Sequence, residues 1–175
     1  IGAVVSHKTE SPGIDWAREQ GLNAFNFRLK DFGNNRQEFD LALAARLKEL
    51  GVNFIVMAGW NLILSNEFLK QFPEQVINIH PSLLPAFPGP WNKVSQETLG
   101  SGVKFTGCTL HFVLDDSIDA GPIILQAVMP VAENETVESL RKKLDIEEER
   151  ILVKGIKLFA EGKLRVEGKK VIIEN

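Results

Sequence analysis

Residues 54–80, FIVMAGWNLILSNEFLKQFPEQVINIH, contain two apolar runs on either side of a short helical pattern. The first run, 54–58, has no polar alternation, which is typical of a strand that is covered on both faces of a sheet. A helix is predicted near 65–71 with Ser65 as its N-cap, and the second apolar run follows at 76–80. A strand, a helix and a strand with short connections form the repeating unit of a parallel α/β sheet.

The same alternation extends towards the N-terminus. Pro12 suits the first turn of a helix, and Gly21 supplies the end of that helix. Asn35 and Glu38 have the spacing of a capping box, and apolar residues then recur at four-residue steps up to Gly51. The pattern predicts strands at 1–5 and 24–27 and helices at 12–20 and 36–50.

The second half of the chain has longer elements. The pattern there predicts strands at 104–113 and 123–131, a long helix at 136–160 and a hairpin at 164–173. We therefore expect an α/β fold with a Rossmann-like, mostly parallel sheet flanked by helices, a long C-terminal helix and a terminal hairpin. Because no repeat, linker or low-complexity stretch interrupts the chain, residues 1–175 are expected to form a single domain.

The composition excludes several classes of protein. The chain has 175 residues, with 20 Lys and Arg against 23 Asp and Glu and a formal net charge of −3. This balance argues against a nucleic-acid or membrane partner, since such surfaces are strongly basic. Cys108 has no partner for a disulfide, and the histidines His7, His80 and His111 show no metal-binding spacing. We expect a cytoplasmic protein without a metal.

Asn78 and His80 are the leading candidates for chemistry. Residues two apart in a strand share a face, so these side chains stand side by side, about 6.6 Å apart along the strand. They also lie at the carboxyl end of their strand, where open α/β sheets bind ligands. An amide and an imidazole there offer a hydrogen-bond donor and a titratable acid. The alternative is that both side chains satisfy backbone groups of the next loop.

The acidic segment that follows supplies candidate carboxylates. Asp115 and Asp116 have the composition of a solvated turn. Asp119 differs because the predicted strand at 123–131 begins shortly after it and holds it near the sheet. A carboxylate beside His80 favours the protonated imidazole and raises its pKa.

Glu148 departs from the pattern of its helix. It falls on the apolar stripe between Leu144 and Leu152, where an inward carboxylate is costly unless it is paired. Glu148 is therefore a ligand-contact candidate, and the alternative is a solvated member of an acidic run. His111, which lies between apolar residues, is interpreted as a core histidine with a satisfied ring. Cys108 is interpreted as a small buried apolar residue.

Two long motifs resemble a known family. Residues 78–85, NIHPSLLP, followed by FPG at 87–89, resemble the signature of the folate-dependent formyltransferases. TGCTLHFV at 106–113 and DAGPIILQ at 119–126 are similar to motifs of the phosphoribosylglycinamide formyltransferases. The resemblance covers nearly the whole chain and implies a formyltransferase-type fold.

The resemblance implies transfer of a formyl group from 10-formyltetrahydrofolate to the amine of glycinamide ribonucleotide, in de novo purine biosynthesis. The family's catalytic trio matches Asn78, His80 and Asp119. Asn78 then stabilises the oxyanion, His80 is the general acid and Asp119 raises the pKa of His80. The implied partners are these two small molecules, without a metal, and the implied state is a monomer or a homodimer.

Binding residues carry over in the same way. Glu148 matches a residue that contacts the ribonucleotide. The implied folate contacts are Arg36, Asn61, Leu62, Ile63, Leu64, Asn78, Asp115 and Asp116. Asn61 to Leu64 cup the pterin through their backbone in the family, and the loop leading to Asp119 closes over it.

Some positions depart from the family pattern. The chain opens inside a strand-like run without Met, so we expect that a family βα unit with a phosphate-binding loop precedes this point. Leu62 stands where an arginine is common, residues 90–93 replace a loop that often carries histidines, and Glu149 stands where histidine often follows the glutamate.

Two other functions remain open. A formyltetrahydrofolate hydrolase shares the same trio, although the run from His80 to Pro85 favours a transferase. A non-catalytic folate-binding module is the second alternative. A methionyl-tRNA formyltransferase needs a further RNA-binding domain and a basic surface, which this acidic chain does not supply.

Overall fold

The computed structural model of the protein describes residues 1–174. The strands are β1 (Val4–Ser6), β2 (Ala24–Asn26), β3 (Ile55–Met57), β4 (Val76–His80), β5 (Phe105–Phe112), β6 (Ile123–Pro130), β7 (Leu164–Glu167) and β8 (Lys170–Ile173). The helices are α1 (Pro12–Glu19), α2 (Arg36–Glu49), α3 (Asn66–Leu69), α4 (Trp91–Gly100) and α5 (Val137–Ala160), and a 3₁₀ turn covers Leu29–Phe32.

Side-chain caps explain where helices α2, α3 and α5 begin. The side chain of Asn35 accepts a hydrogen bond from the Glu38 N–H at the start of α2. Ser65 does the same for α3, as predicted. Thr136 and Ser139 form a reciprocal capping box at the start of α5. Each cap satisfies backbone donors that the first helical turn leaves free.

Six strands form one mixed sheet in the order β3-β4-β5-β6-β8-β7. β3 is parallel to β4 and β6 to β8, while β5 and β7 are antiparallel to their neighbours, so four of the six strands point the same way. β1 and β2 pair in parallel as a separate two-stranded sheet. The predicted α/β class, with a Rossmann-like sheet, a long C-terminal helix and a terminal hairpin, is confirmed.

Helices cover both faces of the six-stranded sheet, which explains why apolar residues of β4 are buried on both of its faces. Ile77 and Ile79 belong to a core cluster together with Leu140 of α5. Val76 belongs to a second cluster, which contains residues of α2 and α3. Helix α5 approaches β5 closely because Gly155 has no side chain there. A Cβ at Gly155 would lie 2.0 Å from the side chain of Leu110.

Helix α4 and the 3₁₀ turn at Leu29–Phe32 are the described elements that the sequence pattern did not predict, and residues 90–93 of the α4 region were interpreted as a loop. The buried positions of α4 are Val94, Ser95 and Thr98. Two of these three residues are small and polar, so hydrophobic periodicity carries no helical signal. The other predicted elements are found with their ends shifted by up to three residues.

A cavity of about 580 Å³ lies between β1 and β3. Val5 of β1, Ile55 and Met57 of β3, and Leu43 of α2 are among its mostly apolar lining. In the part of the chain that the structure describes, β1 and β3 pair with strands on one side each and not with one another. Among residues 1–174, β3 therefore has β4 as its strand neighbour.

Cys108 lies in β5 and is fully buried, which confirms its interpretation as a small buried residue. Burial, with the nearby charges of Glu148 and Glu147, raises the pKa of its thiol to about 12. The thiolate is therefore not formed near neutral pH. No helix within residues 1–174 is long and apolar enough to cross a membrane.

Candidate active site

Asn78 and His80 lie on β4 at its carboxyl end, and Asp119 reaches them from the segment between β5 and β6. Nδ1 of His80 lies 3.4 Å from Oδ2 of Asp119. Nδ2 of Asn78 lies 3.5 Å from Oδ1 of the same carboxylate. The structure thus brings the three predicted side chains into one cluster, with Asp119 between an amide and an imidazole.

Two backbone features place Asp119 in this cluster. Its φ is 49°, in the left-handed region that most residues avoid but Asp tolerates. Two residues later, a Cβ at Gly121 would lie 1.8 Å from the carbonyl oxygen of Phe112, so glycine alone permits this approach to β5. The N–H of Gly89 donates to Oδ2 of Asp119 at 2.7 Å. A residue other than glycine in the left-handed region is energetically unfavourable, and such residues are often found at functional sites.

The ring of His80 is buried, with Nε2 hydrogen bonded and Nδ1 facing the carboxylate of Asp119. Nε2 lies 2.8 Å from the carbonyl oxygen of Phe87, which can only accept, so Nε2 carries a proton. Burial lowers the pKa of His80 below its ordinary value, while Asp119 and the Phe87 carbonyl act to raise it. Asp119 acts to raise the pKa of His80, as expected, but burial and the nearby His111 lower this pKa by more. His80 also satisfies a loop carbonyl, as the alternative interpretation expected.

His111 is a functional candidate that the sequence did not reveal. It is buried with a satisfied ring, as predicted, because Nδ1 donates to the carbonyl of Phe112 at 2.9 Å. Nε2 lies 3.2 Å from Nδ2 of Asn78 and 3.6 Å from Oδ1 of Asp119. The antiparallel pairing of β4 with β5 sets Asn78 opposite His111. Strand register is a tertiary property, so the sequence pattern contains no signal for this contact.

Asp119 is held as a carboxylate by this arrangement. Burial acts to raise its pKa. Hydrogen bonds from His111 and Gly89 and the charges of His80 and His111 outweigh burial, and lower the pKa below its ordinary value. A carboxylate that accepts several hydrogen bonds stays ionised near neutral pH. Asp119 can therefore interact with a proton on His80 throughout a reaction.

The cluster opens on a cavity of about 200 Å³. One side of the cavity, here called the polar wall, consists of Asn78, His80, His111 and Asp119. Exposed apolar side chains that also line it, here called the apolar rim, are Ile63, Leu114 and Ile118. The predicted folate contacts Asn61, Leu62, Ile63, Leu64 and Asp115 line the same cavity. Polar donors therefore meet an apolar binding surface.

Arg36 does not line the cavity. Its Nε donates to Asp40 at 3.1 Å, and its Nη2 donates to the carbonyl of Ile63. Asp40 is fully buried and also accepts from the N–H of Ser65 at 2.9 Å. Arg36 and Asp40 together attach helix α2 to the segment that lines the cavity at Ile63. The geometry thus gives Arg36 a tethering contact with this segment.

The two adjacent acidic residues occupy different positions. Asp115 lines the cavity and is exposed, and its carboxylate accepts from the Ser117 N–H at 2.9 Å. Hydrogen bonds from Ser117 lower the pKa of Asp115. Asp116 lies outside the cavity lining, and its N–H donates to Asn66 at 3.2 Å. The solvated-turn alternative therefore describes both side chains in the absence of a ligand.

Glu148 also lies outside the cavity lining, on the inner edge of α5. Its side chain is 13% exposed and pairs with Arg141 at 2.8 Å. Burial raises the pKa of Glu148, and Arg141 opposes that rise. Its predicted place on the apolar stripe is confirmed, and the solvated alternative is wrong. No group of three or more His, Cys, Asp and Glu within residues 1–174 is placed to hold a metal.

The polar wall has the groups that acyl transfer requires. An amide N–H and an imidazole lie side by side, so both can donate to an oxygen that gains negative charge. The imidazole can also pass a proton to a leaving nitrogen. Because His80 is buried and Asn78 is partly buried, their electrostatic effect on a reacting atom is larger than it is in water.

Comparisons with known proteins agree with this geometry. The sequence pattern of the formyl transferase family matches residues 1–156. Phosphoribosylglycinamide formyltransferase of Haemophilus influenzae is 35% identical over 166 residues, which are 95% of this chain and 76% of that protein. Trifunctional purine biosynthetic protein adenosine-3 of Bos taurus is 38% identical over 168 residues. The match covers 95% of this chain, which spans about one sixth of that longer relative.

A solved structure extends the likeness to three dimensions. Glycinamide ribonucleotide transformylase 1 from Symbiobacterium toebii superimposes with a TM-score of 0.94 at 43% sequence identity. The superposition covers 99% of this chain and 80% of that chain. Sequence pattern, relatives and fold therefore agree, and the chain belongs to the formyl transferase family.

Proposed function

We propose that this protein transfers a formyl group from 10-formyltetrahydrofolate to the amine of glycinamide ribonucleotide, a step of de novo purine biosynthesis. The observation that carries the proposal is the meeting of Asn78, His80 and Asp119 at the cavity. The relatives from Haemophilus influenzae and Symbiobacterium toebii, which are enzymes of this kind, support it.

The chemistry follows from the polar wall. The amine nitrogen attacks the formyl carbon, and a tetrahedral intermediate with a negative oxygen forms. Nδ2–H of Asn78 and Nδ1–H of the protonated His80 ring donate to that oxygen, while Nε2–H of His80 stays on the carbonyl of Phe87. The bond from carbon to the folate nitrogen then breaks, and His80 gives that nitrogen a proton. The proton that the attacking amine loses restores the protonated ring.

Asp119 stabilises the protonated form of His80 in this scheme. In the ligand-free cavity, burial lowers the pKa of His80 and favours the neutral ring. The oxyanion adds a second negative charge beside the ring during the reaction, and together with Asp119 it favours the imidazolium. We expect His80 to be protonated when the intermediate forms.

The folate is assigned to the apolar rim and the adjacent backbone. A flat apolar ring system covers exposed apolar side chains such as Ile63 and Ile118 and gains free energy by doing so. Arg36 acts through its tether to this segment. The residues assigned to the folate are Arg36, Asn61, Leu62, Ile63, Leu64, Asn78, Asp115 and Asp116, and Glu148 is assigned to the ribonucleotide.

The proposal treats residues 1–175 as one formyltransferase domain that acts in the cytoplasm and needs no metal. The single cysteine, Cys108, is unpaired and buried, which suits a reducing compartment. A monomer or a homodimer is expected, and light scattering after size-exclusion chromatography measures which of these forms.

A rate assay tests the reaction. Formation of tetrahydrofolate from 10-formyltetrahydrofolate is followed with and without glycinamide ribonucleotide. Turnover that requires the ribonucleotide supports the transferase. Release of formate without it identifies a hydrolase instead. Folate binding without turnover in either assay identifies a non-catalytic module, and calorimetry with a folate analogue measures that binding.

A further inference from the structure

A charged cluster on α5 connects Glu148 with the cavity lining. Nη2 of Arg141 donates to Oε2 of Glu148 at 2.8 Å, and Nε of Arg141 donates to Asp145 at 2.8 Å. The three residues are spaced by four and three positions, so they share one face of the helix. The guanidinium carbon of Arg141 lies 5.8 Å from the ring centre of Trp91, and Trp91 lines the cavity.

Glu148 has one occupied and one free oxygen. Arg141 occupies Oε2, whereas Oε1 is buried without a hydrogen-bond partner among residues 1–174. A buried carboxylate oxygen without a donor costs free energy, so a ligand or a water molecule that donates to it is favoured. The amine and hydroxyl groups of a ribonucleotide are donors of the required kind.

The groups around Glu148 explain why Arg141 matters. On α5, Arg141 favours the carboxylate, and Asp145 opposes it through like charge. On β5, the buried thiol of Cys108 is near enough for the charge of Glu148 to raise its pKa, and that thiol stays neutral. Trp91 of α4 packs against Arg141 and has no titratable group. Without Arg141, burial and Asp145 would both favour the protonated acid.

We infer that Arg141 is a positioning residue for ribonucleotide binding. It holds Glu148 in place as a carboxylate and leaves Oε1 free to accept a hydrogen bond from the substrate. The inference rests on the proposed function and adds a residue that acts through Glu148. The relevant ligand group is an N–H or O–H donor near the ribose, on the side of the cavity where Trp91 lies.

The Arg141→Met variant tests this role in the proposed reaction. We expect the KM for glycinamide ribonucleotide to rise about tenfold at pH 7, the value of one charge-assisted hydrogen bond, with kcat and the KM for folate little changed. The increase in KM becomes smaller as the pH rises, because Glu148 then ionises even without Arg141. In Glu148→Gln, the increase in KM for the ribonucleotide should not vary with pH. Arg141→Lys should retain part of the affinity that Arg141→Met loses.

Lys142→Met is the matched control. It removes the same charge from the next position of α5, where Lys142 pairs with the exposed Glu138. Its KM for the ribonucleotide should stay within twofold of the wild type. Thermal unfolding followed by circular dichroism shows that each variant is folded before its rates are compared.

The double variant separates an action through Glu148 from a direct contact. In the Glu148→Gln background, Arg141→Met should add less than a twofold change in KM. An equal loss in both backgrounds, or an unchanged KM for Arg141→Met alone, overturns the inference. A wild type without ribonucleotide-dependent turnover rejects the proposed function instead. In that case, ¹³C NMR titration of the Glu148 carboxyl decides: a higher pKa in Arg141→Met supports the inference, and an unchanged pKa overturns it.

Discussion

The polar wall and the apolar rim of the cavity are built in opposite ways. In the wall, His80 is 3% exposed and His111 is 2% exposed, and each ring is hydrogen bonded to a backbone carbonyl. In the rim, Ile63 is 51% exposed and Ile118 is 54% exposed. The wall is organised before any ligand arrives, whereas the rim is covered only when a ligand binds.

This difference separates chemistry from affinity. Buried donors in fixed positions stabilise charge in a transition state without reorganisation. Exposed apolar side chains contribute binding free energy in proportion to the area that a ligand covers. Changes in the wall should therefore reduce kcat with little effect on folate affinity, and changes in the rim should do the reverse.

His80→Ala is expected to have the largest effect. Loss of the general acid and of one oxyanion donor should lower kcat by about 10³-fold, since each of these effects is worth roughly 10²–10⁴-fold. Binding of a folate analogue, measured by calorimetry, should change less than threefold. His7→Ala removes an imidazole outside the wall and serves as the control. Near-normal turnover of His80→Ala would remove this residue from the mechanism.

Asp119→Asn is expected to have the next largest effect, a loss of about 10²-fold in kcat. Asp119 acts to raise the pKa of His80, so its neutralisation lowers that pKa further. The protonated ring is then lost at a lower pH, and the high-pH limb of the kcat profile moves towards acid. A profile of unchanged shape would show that the carboxylate does not tune His80.

Ile118→Ser tests the rim. Because about half of this side chain is already exposed, its coverage by a ligand is worth about 1 kcal/mol, and the KM for folate should rise roughly fivefold. The kcat should stay within twofold of the wild type. Ile146→Ser makes the same change on α5, where Ile146 is 67% exposed and lies outside the cavity lining, and should leave both constants unaltered. A fall in kcat without a change in KM would contradict the assignment of binding to the apolar rim and of chemistry to the polar wall.

The smallest expected effect is on stability. Burial lowers the pKa of His80 in the folded state below its ordinary value of 6.5, so the unfolded chain binds a proton that the folded chain does not. The free energy of unfolding should therefore fall as the pH drops below 6.5 and towards the lowered pKa.

A comparison of variants isolates the contribution of His80 to the pH dependence of stability. The raised pKa of Glu148 acts in the opposite sense, and His7 contributes in the same sense because burial also lowers its pKa. Urea unfolding of wild type and His80→Asn between pH 5 and pH 8 cancels these shared contributions. We expect the free energy of unfolding of His80→Asn to depend less steeply on pH than that of the wild type. Identical slopes would mean that the buried ring of His80 does not contribute to this pH dependence.

Several parts of the site could be predicted because their signals are local. Asn78 and His80 share a face because side chains alternate along a strand. Glu148 was a candidate for an inward carboxylate because it falls on the stripe between Leu144 and Leu152, although its place in an acidic run left the solvated alternative open. The motifs from Asn78 to Pro85 and from Asp119 to Gln126 predicted the family, which the comparisons confirm.

Other parts had no local signal. Helix α4 buries Ser95 and Thr98, residue types that are normally exposed, so its inner face looks polar. Arg141 pairs with Glu148 two turns further along α5. On a helix surface rich in charges, the pairs that form depend on burial and on neighbours such as Trp91 from another helix.

The sequence by itself determined the succession of the strands and of the helices other than α4 along the chain, the faces of β4 and the family. These properties depend on periodicity and on motifs within a few residues. Only the tertiary structure decided that His111 stands opposite Asn78, that Asp119 lies between Asn78 and His80, and that burial lowers the pKa of His80 despite that carboxylate. Strand register and desolvation arise from contacts between segments more than 30 positions apart, and no local pattern encodes them.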